Sequence, residues 1–169
     1  MKNHGSYELT DLRGVMRRWV SGVAILTAGN QVTRRGLTVN SFTSVSVDPP
    51  AVTVTLANQA KTRQVLEENG CFVIHLLRED QVHLSDLFAG RIPEEGDRFA
   101  SQEVFYGELG LPILADAAAY LVCRVIHRYE MANSTLYIGE VLSAHKTENA
   151  PPLVYSDREY RRLMRWPKN

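Results

Sequence analysis

Apolar and polar positions along this chain follow two rhythms, and the shorter one dominates. Val52, Val54 and Leu56 alternate with Thr53 and Thr55, so Ala51 to Ala57 is predicted as a half-buried strand. Gly22 to Ala28 and Cys71 to Leu77 are short apolar runs and are predicted as buried strands. Two longer β-type runs, Ala117 to Met131 and Thr135 to Thr147, flank a predicted hairpin turn at Ala132-Asn133-Ser134. Gly29-Asn30 is a turn signal, after which a partner strand should lead into Gly36 to Pro50.

Helical spacing occurs in three places. Leu9, Leu12, Val15, Met16 and Trp19 predict an amphipathic helix, capped by Thr10 or Asp11, that should cover one side of a sheet. Asn58 to Gly70 reads as a loop and a short helix with Val65 and Leu66 inward and Gly70 as its stop. Glu79 to Gly90 reads as a helix with Val82, Leu84, Leu87 and Phe88 on its apolar face. Arg91 to Phe99 reads as a charged loop, and Gly107, Gly110 and Pro112 mark irregular chain. The tail from Leu153 begins as a short strand and becomes charged. Long strands joined by short turns argue for an antiparallel barrel with flanking helices rather than βαβ units. No G-x-G-x-x-G follows a strand, which disfavours a Rossmann fold.

Gly36 to Pro50, GLTVNSFTSVSVDPP, is the stretch whose content is least ordinary. It reads as one strand, straight or bent, closed by Asp48-Pro49-Pro50. Thr38, Asn40, Ser41, Thr43, Ser44 and Ser46 put hydrogen-bonding groups on both faces. Such groups need partners if buried. A polar strand at a sheet edge and a ligand-binding strand both account for them.

Composition narrows the classes. At 169 residues the chain is expected to form one domain, residues 1–169. Nineteen basic residues balance nineteen acidic ones, which argues against a general nucleic-acid surface. No apolar run approaches a membrane span of about 20 residues. The N-terminal residues lack an apolar segment, so no signal peptide is expected and a cytoplasmic address is favoured. Cys71 and Cys123 lie far apart in apolar runs and are expected to pack as hydrophobes, with no metal-ligand spacing.

Local chemistry leaves several choices open. Arg34 and Arg35 are a solvated hairpin edge or a pair of cations for an anionic ligand. Lys61 and Thr62 stand at a predicted helix start, where free N–H groups suit an anion. An ordinary cap with a solvated lysine fits them as well. His75, alone in an apolar run, is expected to be a satisfied core residue. Arg91 could reach a phosphate or neutralise Glu94, Glu95 and Asp97.

TVNSFTSVS-x-DPP resembles the signature of the short-chain flavin reductase family, the reductase components of two-component flavin-dependent monooxygenases. Further segments match in order. Asn58 with Lys61-Thr62 resembles the family's N-x-x-S-x-T, with Ala60 and Lys61 in the middle. Asp80-Gln81, Leu84-Ser85 and Phe88-Ala89-Gly90-Arg91 match DQ-x-x-LS-x-x-FAGR, and Arg98-Phe99 matches RF. Ile138 to Val141 matches IGEV, and Pro152 to Tyr155 with Arg158 and Tyr160 matches PLVY-x-x-R-x-Y. The match runs from about Leu12 to Tyr160.

The resemblance implies an FMN-binding split β-barrel, a Greek-key antiparallel barrel, and a homodimer. It implies FAD or FMN reduced as a substrate by NADH or NADPH and passed to a separate oxygenase. It assigns Leu37, Thr38, Val39, Asn40, Ser41 and Ser44 to the flavin ring and ribityl chain. Ala57, Asn58, Lys61 and Thr62 fall on the phosphate side, with Phe88 and Arg91 nearby. Tyr155, Arg158 and Tyr160 match the tail motif. No residue is assigned to covalent or acid–base catalysis or to a metal, since the hydride chemistry belongs to the cofactors. Two other readings of the same barrel are a non-enzymatic flavin or heme carrier and a flavin-bound reductase of another organic substrate. One departure stands out. Where many members read Gly-Asp-His before the IGEV strand, this chain has Ala132-Asn133-Ser134. That puts Ser134 where a nicotinamide-facing histidine is expected, and a hydroxyl cannot titrate or stack as an imidazole does.

Overall fold

The computed structural model describes residues 11–93, 96–147 and 149–167. In chain order the elements are α1 (Leu12–Met16), β1 (Ser21–Gly22), β2 (Ala24–Gly29), β3 (Arg34–Val39), β4 (Thr43–Val47) and β5 (Pro50–Ala57). Then come α2 (Lys61–Asn69), β6 (Cys71–Leu76), α3 (Val82–Phe88), β7 (Val104–Tyr106) and β8 (Pro112–Leu114). The chain closes with β9 (Ala119–Glu130), β10 (Ser134–Lys146), β11 (Val154–Ser156) and β12 (Glu159–Arg161).

Seven strands form one antiparallel sheet in the order β3-β2-β6-β9-β10-β5-β4. Its two edge strands, β3 and β4, are consecutive in the chain and joined by residues 40–42 alone. A flat seven-stranded sheet would hold its edges about 29 Å apart. The link from Val39 to Thr43 spans at most about 14 Å. The sheet therefore curls, and its concave face encloses a core. Val39 of β3 shares that core with Val52 and Val54 of β5, together with Leu26, Phe72, Cys123 and Tyr137. No ladder joins β3 to β4 among the described residues, so the sheet is open.

Each core strand is explained by its pattern. Val52, Val54 and Leu56 are buried, while Thr53 and Thr55 are half-buried. α2 plugs one end of the curl with Val65 and Leu66. It ends at Gly70, whose φ of 67° is the left-handed conformation that glycine adopts without strain. α3 covers the outer side of β2 and β3 with Leu84, Leu87 and Phe88, over a second core that includes Ile25, Leu77 and Phe99.

The structure corrects four expectations. The N-terminal helix is five residues long, with Asp11 accepting the Gly14 N–H at 2.8 Å as its cap; Leu9 and Thr10 lie outside the described residues. It covers no sheet, because none of its residues is buried and Trp19 beyond it is 70% exposed. The central stretch is two strands, not one, and the Asp48-Pro49-Pro50 segment is a tight hairpin turn from which β5 starts. The segment around Pro112 is ordered as the β7–β8 hairpin. The tail carries a second short strand, β12, paired back on β11, which itself pairs with β1.

The β7–β8 hairpin hangs from buried polar groups. Thr27 Oγ1 donates to the Pro112 carbonyl at 2.6 Å. His75 has no exposed surface; its Nδ1 donates to the Ile25 carbonyl at 3.1 Å and its Nε2 accepts the Leu114 N–H at 3.1 Å. The ring is thus a satisfied, neutral core histidine, as the sequence predicts. Cys123 is buried and Cys71 half-buried, both as free thiols, and burial pushes the Cys123 thiol up to about 12. No described helix is long and apolar enough to cross a membrane.

Burial lowers the His75 pKa from 6.5 to about 4, against the raising effect of its bond to Ile25. The unfolded chain therefore binds a proton that the native chain refuses between those values. His75 stabilises the fold fully above pH 6.5 and loses about 3 kcal/mol as pH falls toward 4. Urea unfolding measured from pH 7 to pH 4.5 should show stability falling with acid. His75→Asn, which cannot take up that proton, should flatten the slope.

Candidate functional site

The site is built along β3, which pairs with β2 on one side only. Its other side is an open strand edge, with backbone N–H and C=O groups available to a ligand. α2 and α3 both pack on β3 and wall that edge in. Three adjoining clefts follow the chain from Arg34 to Thr43.

The first cleft, about 410 Å³, lies between the start of β3, the start of α2 and residues 96–99. It is strongly basic, lined by Arg34, Arg35, Lys61 and Arg98 with Asp97 as its one described carboxylate. Arg34 is fixed. Its Nε and Nη2 donate to Asp97 at 2.8 and 2.5 Å, its Nη1 donates to the Tyr106 hydroxyl at 2.7 Å, and it lies 5.1 Å from the centre of the Phe99 ring. Partial burial works to raise the Asp97 pKa, but the Arg34 bond and charge outweigh it and hold the carboxyl below its usual range. No described carboxylate lies within ion-pair distance of Arg35, Lys61 or Arg98. The N-cap of α2 is Ala60, which supplies no capping side chain, so the first N–H groups stay open. Thr62 is 4% exposed, and its hydroxyl has no hydrogen bond within the described protein. Open amides and surplus cations together suit an anion of the phosphate type.

The second cleft, about 230 Å³, takes the end of β3. Thr38, Val39 and Asn40 form one wall, and Ser85, Arg91, Tyr155 and Tyr160 the other. Thr38 Oγ1 donates to the Ser85 carbonyl at 2.7 Å, which ties β3 to α3. Arg91 donates to the Tyr155 hydroxyl at 2.9 Å, to the Tyr160 hydroxyl at 3.3 Å and to Asp86 at 3.0 Å. Its guanidinium carbon lies 5.6 and 5.5 Å from the two tyrosine ring centres. The Tyr160 hydroxyl donates to Asp86 at 2.6 Å and lies 3.0 Å from the Ser85 hydroxyl. Burial, then the Asp86 bond, raises the Tyr160 pKa, so the phenol keeps its proton. The result is a cleft whose walls are tied by hydrogen bonds and lined by polar and aromatic side chains.

A third cleft of about 480 Å³ continues past Asn40 and Tyr155 to Ser41, Thr43, α1 and Arg158.

The structure thus groups most of the residues singled out in the sequence. Leu37, Lys61 and Thr62 share the first cleft, and Thr38, Val39, Asn40, Arg91, Tyr155 and Tyr160 share the second. Ser41 and Arg158 fall in the third. The Ser41 hydroxyl is already used, donating to the Thr55 carbonyl at 2.8 Å and accepting the Thr55 N–H at 3.1 Å. Others stand apart. Ser44 is exposed on β4, opposite Val52. Ser134 pairs across the ladder with Ala57, and neither lines one of these three clefts. Asn58 clamps the β9–β10 turn: its amide donates to the Met131 carbonyl at 2.9 Å, and its oxygen accepts the Thr135 hydroxyl at 2.8 Å. Phe88 is fully buried and supports the site from beneath. Arg34, Arg35 and Arg98 enter the site without having been assigned to it. Their signal was a pair of arginines and an RF dipeptide, and only the approach of α2 and the 96–99 loop gathers them.

Residues 16–164 match the model of the flavin reductase like domain. The chain is 37% identical over 152 residues to the reductase component of 4-hydroxyphenylacetate 3-monooxygenase from Thermus thermophilus, covering 90% of this chain and 94% of the relative. It is also 37% identical over 153 residues to the actinorhodin polyketide dimerase of Streptomyces coelicolor, covering 90% and 85%. Among solved structures, the NADH:FAD oxidoreductase of Streptomyces globisporus C-1027, in complex with NAD and FAD fragments, superposes with a TM-score of 0.82 at 32% identity, covering 90% of this chain and 91% of that one.

A side chain at position 36 would clash with the aromatic rings packed under the first cleft. A Cβ there would sit 2.4 Å from Phe88 Cε1 and 3.2 Å from Phe99 Cζ, so the packed rings would have to move. Gly36→Ala should cost about 1–3 kcal/mol in an unfolding titration, the usual range for an overpacked core.

Proposed function

This chain belongs to the flavin reductase like family, and we propose that it is an NAD(P)H:flavin oxidoreductase that supplies reduced flavin to a separate oxygenase. NAD(P)H, a proton and oxidised flavin give NAD(P)+ and reduced flavin. The observation that carries the reading is the succession along β3 of a basic cleft at Arg34 to Leu37 and a second, polar and aromatic cleft at Thr38 to Asn40. That is the shape and charge order of a flavin nucleotide. The named relatives fit: one is a monooxygenase reductase component and another an NADH:FAD oxidoreductase.

Hydride transfer between dihydronicotinamide and the flavin ring is chemistry that the two cofactors supply when bound. The chain's work is binding and orientation. Arg35, Lys61, Arg98 and the first amides of α2 would hold the phosphate of FAD or FMN, with the Thr62 hydroxyl beside it. Thr38, Val39 and Asn40 would carry the ring and ribityl contacts on the β3 edge. Arg91, held by Tyr155, Tyr160 and Asp86, would fix the far wall and bring positive charge to the ring edge. Nothing in this layout needs an acid–base residue, and the second cleft's work is to keep the ring in one plane.

The curled, open sheet supports the split-barrel reading, because the chain forces its two edges together without a ladder between them. Val45 and Val47 on β4, with Ile126 and Leu142 on the β9–β10 face, are exposed apolar side chains and support a homodimer through that side. Two free thiols agree with a reducing, cytoplasmic setting.

The similarity to a polyketide dimerase favours one second reading, a flavin-bound enzyme acting on another organic substrate. Mixing the protein with NADH and excess free FAD or FMN separates the two. Many turnovers of free flavin support the reductase; a requirement for an organic acceptor supports the second reading. Lys61→Ala should raise the flavin KM more than it lowers kcat, because it removes a contact common to the ground and transition states. An unchanged flavin KM would place Lys61 outside the site.

A further inference from the structure

We propose that the cleft between the β7–β8 hairpin and the outer face of β9 and β10 binds a small aromatic monocarboxylate, and that this ligand tunes flavin binding through Phe105 and Tyr106 of β7. The site stands apart from the flavin reductase reading; the coupling rests on it.

The cleft holds about 580 Å³, more than any of the three along β3, and shares no lining residue with them. That volume is within the range of small-molecule sites. Its floor is apolar. Leu111 and Ile113 pack with Val73 of β6 against Tyr120 and Val122 of β9, and four of those side chains also line the cleft. Around them Phe105, Leu109 and Leu142 stay 41%, 48% and 38% exposed. Large apolar side chains grouped on a surface mark a binding site, whereas scattered ones do not.

Rings and charge select the ligand. His145 stacks on Tyr120 with ring centres 4.6 Å apart and planes 18° apart, and Phe105 meets Tyr120 edge-on at 6.0 Å. All three line the cleft, and Phe105 and His145 are exposed, so a flat ring can extend the cluster. Arg124 supplies the cation. Its guanidinium makes no hydrogen bond among the described residues, and Glu140, its ion-pair partner there, lies 3.9 Å away. Its paired donors are therefore open to both oxygens of a carboxylate. Glu108, exposed at the hairpin tip, is the one acid in the lining. One cation with one acid nearby suits a monoanion and disfavours a phosphate ester, which carries close to two charges.

Strand geometry supplies the coupling. Successive side chains of β7 point to opposite faces. Phe105 faces the cleft, while the Tyr106 hydroxyl accepts the Arg34 N–H at 2.7 Å on the other side. Arg34 lines the basic cleft at the start of β3. Thr27 and His75 tie β8 to the main sheet, whereas β7 pairs with β8 alone and is the less anchored strand. A ring packed on Phe105 fixes β7, and with it the acceptor that aims Arg34. A guanidinium already aimed loses less freedom when it binds an anion. The aromatic ligand and the flavin phosphate thus favour the same state of β7, and each strengthens the other by the same factor.

Phenylacetate is the probe, titrated by calorimetry into the flavin-free protein, with cyclohexylacetate and phenyl phosphate as controls. One phenylacetate should bind per chain, and both controls should bind about fivefold more weakly. Arg124→Gln should weaken phenylacetate about tenfold. At saturating phenylacetate the FMN dissociation constant should fall about fivefold. Tyr106→Phe should keep the phenylacetate affinity and remove that effect. No binding of phenylacetate, or equal binding by Arg124→Gln, overturns the site. A constant FMN affinity, or an effect that survives Tyr106→Phe, overturns the coupling. Leu142 also belongs to the face that supports a homodimer. Phenylacetate that converts a dimer to monomers in sedimentation would make the cleft a seam between copies, which overturns the site as well. Phenylacetate binding by a protein that never turns over free flavin would uphold the site and overturn the reductase reading instead.

Discussion

Three residues hold the architecture to its shape. Asn40, Ser41 and Phe42 are the whole connection between the two edge strands of a seven-stranded sheet, and they are too short to cross it flat. Ser41 reinforces the turn by bonding both backbone groups of Thr55. The curl encloses the main core. It also leaves β3 with one side unpaired, and α2 and α3 come to stand on either side of that edge. A strand edge exposed to solvent is a hazard in most proteins. Walled by two helices, it becomes a surface that a flat, hydrogen-bonding ligand can use.

Charge follows the same geometry. Formal charge over the whole chain is zero, which says nothing about a local site. The three clefts along β3 are lined by Arg13, Arg17, Arg34, Arg35, Lys61, Arg91, Arg98 and Arg158, whereas Asp97 and Asp157 are their described acids. Other ion pairs, such as Arg63 with Glu67 and Arg161 with Glu159, lie away from these clefts. Where an arginine in the site is neutralised, the partner fixes its direction. Asp97 and Tyr106 hold Arg34; Asp86 and the two tyrosines hold Arg91. Fixed guanidinium groups bind anions with little loss of rotamer freedom.

Ser134 shows how a motif position can change meaning. It pairs with Ala57 beside a turn that Asn58 holds by its own side chain. Nothing there presents a ring or a titrating group to the clefts. Ala60, the N-cap of α2, supplies no capping side chain.

Local pattern was enough for much of this protein. The alternation at Val52, Val54 and Leu56, the apolar runs at Ala24–Gly29 and Cys71–Leu76, Gly70 as a helix stop and His75 as a core residue are set by short-range spacing and burial. What sequence spacing could not decide was which distant segments meet. The break at residues 40–42, the β12 strand opposite β11 and the exposed α1 depend on closure of the curled sheet, which no local window contains. Arg34, Lys61 and Arg98 are far apart in the chain and line one cleft because α2 and the 96–99 loop dock on β3. The sequence by itself determined most of the strands, since each is a matter of neighbours one or two residues apart. The tertiary structure decided where the charges converge, because convergence is a property of how the strands roll.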